Sequence, residues 1–258
     1  MLLREQAAVA ACLAAAIALA WLYLVPASRD RYGAMHGISA WMMESRWDVR
    51  YFTLVFLMWA VMMVGMMLPS ATPAILLFGM VMRNSPGAEQ PLARSGAFTA
   101  GYLLVWTAFS LAATVAQWAL ASAALLSPMM VGTSRVLGAV LLIVAGAYQL
   151  TPLKQDCLTR CRSPVEFITR HFRPGIGGAL RLGALHGLYC VGCCWALMLL
   201  LFFGGVMNLL WIAAITIFVM LEKLAPAGVQ GGRLSGVLLL LAGTAMMLLS
   251  GDPSLRSG

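Results

Sequence analysis

Charge is what this 258-residue chain has least of, with only 10% of its residues Asp, Glu, Lys or Arg. A soluble domain carries about 25%, so a water-soluble fold is excluded. No long polar segment interrupts the chain, which excludes a second, water-facing domain; residues 1–258 read as a single integral membrane domain. Acidic residues are fewer still, nine against 17 basic ones. The resulting charge of +8 does not point to nucleic acid, because the basic residues lie mainly in loops, where they orient a membrane protein. A hydrolase triad, a phosphate-binding loop and a zinc-protease motif are all missing. No named reaction is supported, and whether the chain is an enzyme stays open.

What is present is apolar. The chain is 62% hydrophobic with a mean hydropathy of +0.88, and several runs match the roughly 20 residues needed to cross a bilayer. Runs over 7–25, from about 52, 96–120, 135–150, 179–203, 206–222 and 234–249 predict an all-α, polytopic transmembrane helix bundle of seven spans. The first run follows Arg4 and resembles a signal sequence, but it is long enough to be a retained span, and Pro26 is expected to end it. The second carries Pro69 and Pro73, each without a backbone donor, and reads as a Pro-broken span. Between the first two runs, Trp41 and Met42 mark a short interfacial segment.

Residues 151–181 form the longest basic stretch, with Lys154, Arg160, Arg162, Arg170, Arg173 and Arg181. Lys and Arg accumulate on the cytoplasmic side, so this is read as a cytoplasmic, Cys-containing loop. Seven spans then place the N-terminus in the cytoplasm. The four arginines between residues 26 and 50 run against that orientation.

Five of the six cysteines fall in two clusters, with Cys12 alone in the first run. The denser cluster is HGLYCVGCCW, residues 186–195. His186, Cys190 and Cys193 or Cys194 are spaced to share one helix face. Thiolate and imidazole are suitable ligands for copper or zinc, and a histidine inside a span signals function by default. The second cluster, Cys157 and Cys161 in DCLTRCR, is spaced i, i+4. In the second run Met58, Met62 and Met66 repeat every four residues, as do Met63 and Met67; thioethers favour Cu(I). Glu222 closes the sixth run beside Lys223, either as an interface pair with that lysine or as an inward ligand or proton acceptor. Buried thiols also act as small hydrophobes and methionines as flexible fillers, so each residue alone stays open. Under the seven-span topology the His186 cluster, Met66 and Met67, and Glu222 all fall in the cytoplasmic half.

MWAVMMVGMMLPSATP (58–73), YQLTPLKQDCLTRCRSP (148–164), GALHGLYCVGCCWALM (183–198) and MLEK (220–223) together resemble the DUF2182 family of predicted metal-binding integral membrane proteins. The resemblance covers roughly residues 50–225. It implies a bacterial inner-membrane protein whose metal site draws on Met63, Met67, Cys157, Cys161, His186, Cys190, Cys193, Cys194 and Glu222. The function expected is soft-metal binding and transfer in the membrane, with copper the first choice and zinc the second. Two other readings stand beside it: an auxiliary subunit of a larger membrane enzyme complex, and a membrane thiol–disulfide electron carrier. The implied partners are the lipid bilayer, a membrane-protein complex and a metallochaperone.

Overall fold

The computed structural model describes residues 2–32, 47–83, 91–126, 132 and 134–251. The segment carrying Trp41 and Met42 lies outside them. Regular structure among the described residues is helical: α1 (Leu2–Tyr32), α2 (Val49–Arg83), α3 (Pro91–Ser122), α4 (Arg135–Gln149), α5 (Pro152–Arg162), α6 (Pro164–His171), α7 (Gly175–Gly204), α8 (Leu209–Leu224) and α9 (Gly228–Gly251). The fold is an all-α bundle, as composition predicts.

Each of the seven expected apolar runs is helical, but not all are long. Five helical segments are long and apolar enough to cross a membrane: 6–28, 49–82, 92–122, 175–204 and 228–250. A sixth is reached if α4 and α5, bent by 64° at their junction, count as one span. α8 has only 16 residues, about 24 Å of rise.

The second span does not break at its prolines. α2 runs continuously from Val49 to Arg83 with Pro69 and Pro73 inside it. Pro69 has no N–H to give the carbonyl of Gly65, four residues earlier. That carbonyl instead accepts from the indole Nε1 of Trp21 on α1, at 3.2 Å. A neighbouring helix thus supplies the missing donor, which is how prolines are tolerated where water is absent. Pro26 likewise fails to end α1, which continues through it to Tyr32. One lost bond leaves the other i→i−4 pairs intact; unwinding the turn into lipid would orphan several groups.

The expected loop at 151–181 is mostly helix. Thr151 caps α5 by accepting from the Lys154 N–H, with Pro152 in the first turn, where its missing donor costs nothing. Pro164 opens α6 in the same way.

α3 and α7 run parallel at very close range. A Cβ added at Gly183 would stand 1.9 Å from the Phe98 carbonyl oxygen, and one at Gly101 2.0 Å from that of Leu180. Only glycine permits this approach, the small-residue packing common between membrane helices. α2 lies against α3 and brings Met58, Met62, Met63, Met66 and Met67 into the centre, all fully buried. Trp59 bonds across to Gln117 at 2.7 Å and fixes the relative depth of α2 and α3.

Candidate metal centre

α7 turns His186, Cys190, Cys193 and Cys194 into the bundle, as their spacing predicts; each is buried. Thiols so enclosed must find partners inside the protein. Those of Cys193 and Cys194 donate back to the Cys190 carbonyl, at 3.1 and 2.9 Å. The Cys194 sulfur also lies 3.9 Å from the thioether of Met67 on α2. The Cys190 sulfur accepts from the Lys223 ammonium of α8 at 2.9 Å and lies 3.1 Å from the Tyr102 hydroxyl of α3. Tyr102 is held in turn by the Met67 carbonyl at 3.2 Å, and Lys223 by the Ser70 hydroxyl at 3.2 Å.

The second cysteine cluster joins the first. The Cys161 side chain on α5 neighbours Cys193, and Cys190, Cys193 and Cys194 neighbour one another. Four thiols and a thioether from α2, α5 and α7 therefore share one interior space. Cys157 packs against Gly192, where a Cβ would stand 2.8 Å from its sulfur. It adjoins the cluster and is only half-buried. Cys12 is exposed on α1.

Three expected site residues take other positions. His186 lies one turn before Cys190, ringed by Phe98, Tyr102 and Phe167 at 5.9, 5.8 and 5.5 Å between centroids. Its buried Nδ1 has no hydrogen-bond partner. Met63 is buried one turn before Met67; among the described residues the thioether that meets a thiol is Met67. Glu222 pairs with Lys154 of α5, both enclosed. Its backbone carbonyl accepts from Arg162 at 2.7 Å. The carboxylate thus ties α5 to α8.

The reason lies in helix geometry. Glu222 and Lys223 are neighbours in sequence, but successive helix residues diverge and do not face each other. Glu222 turns to α5 and Lys223 to the thiols. Lys223, Lys154, Tyr102 and Ser70 are the site residues that motif reading passes over. For the two lysines the signal was available: a cation within or beside an apolar run demands a partner.

No three His, Cys, Asp or Glu side chains among the described residues are arranged to hold a metal ion as they stand. A cleft of about 320 Å³ opens beside α5 and α6, lined by Asp156, Arg160, Glu166, Phe167, Arg170 and His171 among others. Phe167 belongs both to its wall and to the ring cage around His186.

The family model of the PpoB2 copper chaperones matches residues 56–246, from α2 into α9. No curated protein and no solved structure matches the chain.

Proposed function

The chain belongs to the PpoB2 copper chaperone family, and from that premise we propose that it carries Cu(I) within the membrane on the thiols of Cys190 and Cys194 and the thioether of Met67. Soft sulfur donors suit Cu(I), and this d10 ion accepts as few as two or three ligands. The observation that carries the reading is the meeting of Cys194 with Met67 across α7 and α2, beside Cys190. Each thiol that becomes a ligand gives up its proton, because the thiolate is the metal-binding form.

Cys193 and Cys161 form the adjoining pair to which the ion passes, and Cys157 continues the line toward α5. Pairs of weak, overlapping sites suit transfer better than one closed cage. His186 lines the approach from the cleft beside α6, and Met63 extends the sulfur-lined interior along α2. Glu222 serves the site through Lys154, holding α5 against α8. Copper is cargo on this reading, received from or passed to a metallochaperone or a membrane-protein complex; zinc is the competing ion. The location is the bacterial inner membrane, with the N-terminus and residues 151–181 on the cytoplasmic side. The narrower DUF2182 assignment belongs to the same proposal.

Purified full-length protein, loaded anaerobically with Cu(I), tests this. Substituting Cys190, Cys193 and Cys194 together by Ser should abolish retained copper. Wild-type copper content in that variant would refute the reading. The contact between Cys161 and Cys193 also supports thiol–disulfide exchange. That alternative predicts a mixed disulfide with a partner when one of the two is removed.

A further inference from the structure

Lys223 is a buried ammonium with no carboxylate within ion-pair distance among the described residues. Its neighbour Glu222 is taken by Lys154. The acceptors of Lys223 are the Cys190 sulfur at 2.9 Å and the Ser70 hydroxyl at 3.2 Å. A cation enclosed in low dielectric needs a compensating anion, and the thiol cluster is where that anion forms. Building on the copper reading above, we infer that Lys223 is the counter-ion that restricts this site to a monovalent metal.

The argument is a count of charges. No three acidic, thiol or imidazole side chains among the described residues are arranged to hold an ion as they stand, and the count is made for the two thiols that meet Lys223 and Met67. Two thiolates, Cys190 and Cys194, bring two negative charges, and the Met67 thioether brings none. With Cu(I) the complex has a net charge of −1. The Lys223 ammonium beside Cys190 brings the buried assembly to zero. A divalent ion such as Zn(II) would make the bis-thiolate complex neutral and leave the ammonium uncompensated, a total of +1. Softness of the donors does not separate Cu(I) from Zn(II), since thiolates bind both. The fixed positive charge does.

The position of Ser70 makes the idea testable from two sides. Lys223→Met removes the charge; Ser70→Asp keeps the lysine and neutralises it with a carboxylate in place of the hydroxyl that now meets Nζ at 3.2 Å. Lys223→Arg preserves the charge. Full-length protein in detergent would be equilibrated anaerobically with Cu(I) against a chromophoric chelator, and separately with Zn(II), and bound metal measured. Lys223→Met and Ser70→Asp should each lower the preference for Cu(I) over Zn(II) by at least about 100-fold, the lower end of the cost of leaving one buried charge unpaired. Lys223→Arg should keep it within a few fold. A wild-type ratio in either neutralised variant overturns the inference, and if Lys223→Met does not fold, Ser70→Asp decides. The paired control replaces Cys190, Cys193 and Cys194 together by Ser. Cu(I) binding that survives it overturns the copper reading, and this inference with it. Cu(I) binding lost there, with an unchanged ratio in the neutralised variants, overturns the role of Lys223 alone.

Discussion

Lys154 shows most directly how single residues are held in this bundle. Its side chain is fully enclosed, and Glu222 is the ion-pair partner it has among the described residues. Breaking a buried pair on one side strands the other charge, at a cost of about 3–5 kcal/mol. Glu222→Gln should therefore unfold markedly earlier than wild type in a detergent-solubilised denaturation series. Replacing both by apolar residues, Lys154→Met with Glu222→Leu, should recover most of the loss, because such replacements are often neutral. A double variant no more stable than the single one would contradict the pairing. On the proposed reading, in which the Glu222 carboxylate braces the helices, the double variant should also load Cu(I) like wild type. The inward histidine and cysteines were legible in sequence because i, i+4 and i+7 offsets define a face. The division of Glu222 from Lys223 was not, because their partners Lys154 and Cys190 lie 68 and 33 residues away. Only the fold makes them neighbours.

Helices in this protein are continuous where sequence predicts interruption, and the reason is again a partner from elsewhere. Pro69 leaves the Gly65 carbonyl without its usual donor, and Trp21 supplies one at 3.2 Å. Trp21→Phe should lose about 1–3 kcal/mol, the cost of a buried acceptor left unsatisfied. In a Pro69→Ala background the helix regains its own N–H at that position, so the same substitution should cost clearly less. Equal costs in both backgrounds, measured as a double-mutant cycle, would show that the indole contributes by packing alone. The α3–α7 contact makes a second demand. Gly183→Ala places a methyl group against the Phe98 backbone, and should cost at or above the upper end of the 1–3 kcal/mol range for overpacking. Gly96→Ala on the same α3 meets nothing within 4 Å and should be neutral or slightly stabilising, since alanine favours the helix. Similar losses at both sites would refute the close approach. Length and apolarity made the spans legible; what prolines and glycines do depended on helices far away in sequence.

Across the whole molecule the short helices mark a level. α4 ends near Gln149, where the Tyr148 hydroxyl donates to the Gly192 carbonyl at the middle of α7. α8 ends where Lys223 meets Cys190. From Cys190 to Gly204, α7 has 15 residues, about 22 Å of rise, against a hydrocarbon core of about 30 Å. The polar α5 lies at this level, with Cys157 against Gly192, and on its other side lie α6 and a further 15 residues of α7, Gly175–Tyr189, including Arg181. With Gly204 at one face of the apolar layer, the thiol cluster stands off the midplane toward the other boundary, beside a charged helix. On the proposed orientation, in which the basic residues of 151–181 face inward, that boundary is the cytoplasmic one. α2 ends and α3 and α7 begin on the same side, as the Phe78–Phe98 stacking and the Gly183–Phe98 contact require. Thr169 is exposed on α6 and Ala123 at the opposite end of α3. In spheroplasts, a membrane-impermeant maleimide should label Ala123→Cys above the parent's signal. It should reach Thr169→Cys only after the membrane is opened. The reverse pattern would invert the orientation while leaving the thiol site at its boundary. Labelling of both in sealed spheroplasts would overturn the placement of the charged α5–α6 face on the inner side.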